Sequence, residues 1–271
     1  MGKHCSILVL FLTFSIGCLA QTQDDRCPNG AAFQNAQTIE REISDFKVRI
    51  TKEDSACKFE VRDRTGRVVV ADSATRVEAL PEMYVLRIGT NDLVIEAYSP
   101  GPPCCLTYYI VTQLPTPHVA GKIVNEYPID FVDYRGIELN DLVTRDGGFI
   151  NFESMPYNLV PAPFVYIRFA RGRPTNAGAL FKALYDMEIA QARARIKPDA
   201  LQYFHSRNIY DDVELASNVL RIVLAYLYSG REEQAWKELN AMWPPADVQR
   251  IKAEILKARA NGILRYTTVW P

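Results

Sequence analysis

The spacing of apolar residues changes once along this chain, near Arg173-Pro174-Thr175-Asn176. Upstream, short runs rich in Val, Ile, Tyr and Phe are separated by turn clusters, which is the pattern of strands. The runs are Ile43–Ile50 with Phe46, Val48 and Ile50 alternating, Lys58–Arg62, Val68–Ala71, Tyr84–Ile88, Leu93–Tyr98, Leu106–Val111 and Phe164–Phe169. Asp63-Arg64-Thr65-Gly66-Arg67 reads as a hairpin turn, because Gly66 is free to take positive φ. Prolines at 100, 102, 103, 115, 117, 156, 161 and 163 fall between the apolar runs, as an antiparallel β domain requires.

Downstream the spacing becomes helical. Ala179–Ile196 is Ala-rich and proline-free up to Pro198, and Asp212–Tyr228 carries Ala216, Val219, Leu220, Val223, Leu224 and Leu227 on one stripe. Asp211-Asp212 suits the start of that second helix, and Ser229-Gly230 suits its end. A third helix spans Glu232–Met242 and is broken by Pro244-Pro245; a fourth, marked by Val248, Ile251 and Ile255, ends near Asn261-Gly262. The expected fold is α+β: an antiparallel β domain over 27–173, then an α-helical array over 177–262.

Residues 1–20 stand apart. Lys3 and His4 precede an apolar run from Ile7 to Gly17, broken only by Thr13 and Ser15, and small residues Gly17-Cys18-Leu19-Ala20 lead into polar Gln21. That is the order of a secretory signal peptide, and the run is too short to cross ~30 Å of hydrocarbon. The expectation is export to the periplasm or beyond, with cleavage after Ala20 and no membrane span elsewhere. Two alternatives use the same residues: Cys18 as the lipidated cysteine of a bacterial lipoprotein, and acylation at the Met-Gly start. With 31 Lys+Arg against 32 Asp+Glu, the chain exerts no long-range pull on nucleic acid, and none is expected as a partner.

Export leaves Cys27, Cys57, Cys104 and Cys105 as disulfide candidates, with three connectivities open. One joins Cys104 to Cys105; the others tie Cys27 and Cys57 to that corner. Cross-links are expected over a redox or metal role, because no Cys-x-x-Cys spacing occurs. The sequence contains no Gly-x-Ser-x-Gly elbow, His-Glu-x-x-His pair, phosphate loop or dinucleotide fingerprint, so neither catalytic residues nor a cofactor are expected. His118, in a Pro-Thr-Pro-His segment, and His205 read as surface or packing residues. Among many tyrosines of the β region, Tyr98, Tyr108 and Tyr109 make a candidate surface for a sugar or peptide.

Two family resemblances follow from particular residues. Ala225-Tyr226, Gly230, Ala235, Leu239 and Met242, followed by Pro244, resemble one tetratricopeptide unit, with Ala235 as the small residue at the helix crossing. This implies a protein partner for the helical domain. Asp92–Ile110, with its Cys104-Cys105 pair, and Phe131–Asp146 resemble exported bacterial proteins related to the FG-GAP/VCBS repeats. The family's calcium loop, laid on this chain, puts Asp133 first, Arg135 third, Ile137 fifth and Asp141 ninth; an earlier copy runs Tyr84, Leu86, Ile88 and Asp92, with Gly89 at a turn. Arg135 places a fixed positive charge where a carboxylate belongs, free to pair with Asp133 or Asp141, and Ile137 offers no oxygen. Both loops therefore read as degenerate, with no metal expected and Asp133 and Asp141 left as the calcium ligands of a minor alternative. The resemblance implies an envelope or secreted protein that binds or scaffolds. The alternatives are an extracytoplasmic hydrolase acting on cell-wall or polysaccharide material through carboxylates on β loops, and a thiol-redox protein using Cys104-Cys105.

Overall fold

The structure, a computed structural model, describes residues 26–81, 83–100, 105–134, 140–204 and 212–268, with Cys105 described in its backbone alone. The expected signal segment, Cys104, Arg135, Ile137, His205 and Asp211 lie outside the described residues. Within them the chain is α+β, with three four-stranded antiparallel sheets ahead of the helices. The first sheet is β1 (Thr38–Ile43), β2 (Phe46–Lys52), β3 (Cys57–Arg62) and β4 (Val68–Ala74), paired in sequence order. The second is β5 (Arg76–Ala79), β6 (Leu93–Ser99), β7 (Cys105–Thr112) and β8 (His118–Asn125). The third is β9 (Asp130–Val132), β10 (Asp141–Arg145), β11 (Phe164–Ala170) and β12 (Arg173–Asn176). Then come α1 (Lys182–Ala194), α2 (Pro198–Phe204), α3 (Val213–Tyr228), α4 (Glu232–Met242) and α5 (Val248–Asn261).

The second sheet is a wall shared by two cores. Leu93, Ile95, Ala97, Tyr109 and Val111 face the first sheet, where they meet Phe46, Val48, Ile50, Phe59 and Val61. Their sequence neighbours Val94, Leu106, Tyr108 and Ile110 point the other way, into a larger core with β10, β11 and the helices. The period of two along a strand produces this division, and it explains why Leu93-Val94-Ile95 is apolar without alternation: both faces are dry. Each fully buried Val, Leu, Ile or Phe adds roughly 1.5–3 kcal/mol. Cys27 and Cys57, both fully buried, are bonded to each other and clip the N-terminal segment to the first core. Because the larger core takes residues from β6, β7, β10 and β11 together with α1 and α3–α5, packing continues across the expected boundary at 173–177.

Several local expectations change. The run Ile43–Ile50 is two strands, not one, because Ser44 takes positive φ (56°) in a two-residue turn that sets Ile43 opposite Phe46. Tyr84–Ile88 joins no sheet: the Val85 and Leu86 amides donate to Asp92 Oδ2 at 3.1 and 2.8 Å, so a buried carboxylate replaces a neighbouring strand. The segment Arg173-Pro174-Thr175-Asn176, read as a break, is the edge strand β12, where proline is tolerated. The first helix begins later than expected, since Gly178–Phe181 is a 3-10 turn and α1 starts at Lys182. The hairpin turn at Gly66 (φ 86°) is present, held by Asp63 Oδ1 accepting from the Thr65 and Arg67 amides. Asp212 caps α3 by accepting from the Leu215 amide at 3.0 Å.

Candidate functional site

A cleft of about 420 Å³ opens where the ends of β10 and β11 meet α1 and α3. Its floor is aromatic: Phe164 and Tyr166 project from one face of β11, and Tyr185 comes from the buried side of α1. Tyr166 and Tyr185 meet edge-on at 5.5 Å, and the Tyr185 hydroxyl donates to the Phe164 carbonyl at 2.8 Å, which ties the helix to the strand.

Three arginines surround this floor. Arg145, the last residue of β10, pairs in register with Phe164 and lays its guanidinium over that ring at 4.2 Å. Arg221 enters from α3, a helix with twelve buried residues in sixteen, and Arg195 follows the end of α1. Arg145 donates to the Ala162 carbonyl at 2.7 Å and Arg221 to the Val160 carbonyl at 3.5 Å, both neutral acceptors. Among the described residues one carboxylate, Glu188 of α1, shares the cleft. Three guanidiniums therefore face one carboxylate, leaving two positive charges over. Burial raises the Glu188 carboxyl, while Arg145 and Arg221 act to lower it. Burial and then the like charges of Arg145 and Arg195 hold Arg221 below the usual arginine range, against the pull of Glu188.

The outer lip of the cleft is apolar. Leu184 and Met187 line it from the exposed side of α1, 38% and 59% exposed, and Leu180, in the turn ahead of α1, is 64% exposed. The helix thus carries apolar residues on two sides, with Tyr185, Ile189 and Ala192 facing the core.

The residues singled out by sequence lie elsewhere. Asp141 is buried, and its carboxylate is held by Arg168, through Nε at 2.9 Å and Nη2 at 2.6 Å, and by Arg87 at 2.5 Å. These arginines, not Arg135, answer its charge, and Asp141 sits in strand β10 instead of a cation loop. Asp133 is half-buried and makes interactions of its own. Among the described residues, no group of three His, Cys, Asp or Glu is placed to hold a metal.

Tyr98, Tyr108 and Tyr109 do not gather on one surface. Tyr108 lies in the larger core, donating to Glu96 at 2.8 Å, while Tyr109 lies in the other, its hydroxyl bonded to Asp72 and its ring edge-on to Phe59. Tyr98 is half-buried beneath the Arg76 guanidinium. His118 starts β8, exposed, with Nδ1 donating to the Thr116 carbonyl at 2.6 Å. In the tetratricopeptide-like segment, Ala235 and Leu239 are buried and Gly230 takes φ 78° in the turn between α3 and α4.

A second cleft of about 420 Å³, between β8, the turn at 147–154 and α5, holds three carboxylates. Two of them carry a cation: Glu153 pairs with Arg250 at 2.9 Å and Glu254 with Lys257 at 3.3 Å. The third, Glu126, is raised by burial.

Neither Arg145, Arg195, Arg221 nor Glu188 was singled out by sequence. One signal was present: Arg221 interrupts Val219-Leu220-Arg221-Ile222-Val223-Leu224, and a lone cation in an apolar stretch is placed for a purpose or hidden at a cost. A scan against family models and searches of curated proteins and solved structures gave no significant match.

Proposed function

We propose that this is an exported, non-catalytic binding protein that holds an anionic ligand in the arginine cleft. The observation that carries the reading is the charge imbalance around Glu188: among the described residues, three guanidiniums, one carboxylate and an aromatic floor. Guanidinium forks match carboxylates and phosphates, and a low-dielectric floor strengthens the attraction. The order of basic, apolar and small residues over 1–20 supports export, as does a buried disulfide. Among the described residues no helix is long and apolar enough to cross a membrane. The helical hairpin α3–α4, which resembles a tetratricopeptide unit, supports a protein partner on its outer side. A hydrolase would use the second cleft, where among the described residues Glu153 is held by Arg250 and Glu254 forms an exposed pair with Lys257.

The test is a titration of the chain with acetate and with phosphate, observing arginine Nε–H resonances by NMR. The expected result is saturable shifts at Arg145 and Arg221 that vanish in Arg145→Met/Arg221→Met. Flat titrations, or equal shifts in the variant, would overturn the reading.

A further inference from the structure

Resting on the anion reading of the arginine cleft, we infer that its ligand is a free single-chain amphiphile: a carboxylate or phosphate head among Arg145, Arg195 and Arg221, with an alkyl chain along Leu184, Met187 and Leu180. Three observations converge on this. The cleft, at about 420 Å³, leaves room beside a small anion, which fills the space of only a few waters at roughly 30 Å³ each. Its lining is divided: Arg145 of β10 and Arg221 of α3 are half-buried, whereas Leu184 and Met187 of α1 are exposed, as is Arg195 at the end of that helix. A further apolar side chain, Leu180, lies in the turn just ahead of α1, four positions before Leu184, and is 64% exposed.

Isolated exposed leucines are ordinary, but an apolar strip running into a cation-lined cleft presents a head-and-tail pattern that a purely polar anion leaves half unused. The partner's charge sign follows from the excess of arginine over Glu188. A free chain fits better than a bilayer because two of the three arginines are recessed: Arg221 is half-buried within α3 and Arg145 is flat on Phe164, with Arg195 exposed beside them. Each methylene moved from water onto this strip should tighten binding roughly fourfold.

The experiment is isothermal titration of the chain with acetate, hexanoate, octanoate and octyl phosphate, with octyl glucoside as a neutral control and phosphatidylglycerol vesicles as a membrane control. The expected result is affinity that rises by roughly fifteenfold from hexanoate to octanoate, with little binding of octyl glucoside. Leu184→Ser/Met187→Ser, at exposed positions that leave the core intact, should flatten the chain-length dependence yet keep the acetate response. Arg145→Met/Arg221→Met should abolish binding of every anion. Octyl phosphate matching octanoate supports the shared chemistry, and a large difference between them identifies the head. If acetate binds as tightly as octanoate, the amphiphile is overturned while anion binding stands. If octanoate binds equally to the arginine variant, or if no anion binds, both readings fall. Binding to vesicles with none to free octanoate overturns the inference in favour of a membrane surface.

Discussion

Asp146 follows Arg145 in the chain, and removing its carboxylate should loosen the frame of the arginine cleft. Asp146 is fully buried, and three groups converge on it: the Gly148 amide at 2.9 Å, the Ile263 amide at 3.0 Å, and the Tyr228 hydroxyl at 2.6 Å. These come from the turn after β10, the segment after α5 and the end of α3, so one side chain clasps three parts of the fold. There is no space to rearrange, because a side chain at Gly262 would collide with the carboxylate. Asp146→Ala leaves three donors unanswered in a dry site. At about 1–3 kcal/mol for each buried unsatisfied group, offset by no longer burying a carboxylate, the net loss is about 3–5 kcal/mol. For a chain of this size that is a melting temperature lower by roughly 6–20 °C. Asp146→Asn retains an acceptor for the two amides, and the Tyr228 hydroxyl can turn to accept from the new amide, so it should cost only about 1–2 kcal/mol. Tyr228→Phe removes one donor to the carboxylate and should cost about 1.5–3 kcal/mol. Urea unfolding of the three variants checks this order. An Asp146→Ala variant within 1 kcal/mol of the parent, or an Asn variant as damaged as the Ala variant, would refute the clasp.

Three further outcomes are expected. Burial pushes the Asp92 carboxyl up to about 6, against the hydrogen bonds from Leu86 and Val85, and its Oδ1 lies beside the Thr112 hydroxyl without meeting hydrogen-bond geometry. A raised carboxyl binds its proton more tightly when folded, so its contribution to stability falls as pH rises from about 4 to about 6, by ~3 kcal/mol. Asp92→Asn should therefore gain on the parent at pH 7 by an amount that shrinks toward pH 4; a pH-independent difference in urea titrations contradicts this. Asp141→Ala strands Arg87 and Arg168, whose side chains are 13% and 19% exposed, and should cost about 3–5 kcal/mol by chemical denaturation. Reducing Cys27–Cys57, which closes a loop of sequence separation 30, should lower stability by about 3–4 kcal/mol; calorimetry with and without reductant checks it.

The architecture was legible where one physical rule acted alone. Alternation of Phe46, Val48 and Ile50 marked a strand, and the stripe from Ala216 to Leu227 marked α3, because burial on one side imposes those periods. Tyr84–Ile88 misled because it is rich in strand-forming residues, yet its backbone is answered by the Asp92 and Asn140 side chains, a pairing that local composition does not encode. Strand β10 was hidden because Asp141 looks like a cation-loop residue until Arg87 and Arg168, 54 and 27 positions away, are brought to it. The arginine cleft was hidden more deeply. Arg145, Arg195 and Arg221 share no spacing; they meet because β10 ends where α1 and α3 cross it. Only Arg221, isolated among apolar neighbours, carried a local mark.

The most direct test of anion binding in the cleft is thermal melting at constant ionic strength, with octanoate replacing chloride, for the parent and for Arg145→Met/Arg221→Met. The parent should gain about 2.7 kcal/mol at a hundredfold excess over Kd, a rise of roughly 5–11 °C. The variant, which also loses the carbonyl contacts of both arginines and the cations beside Glu188, should melt lower than the parent in chloride and should not respond to octanoate. An unresponsive parent, or a variant that responds as strongly as the parent, contradicts the account.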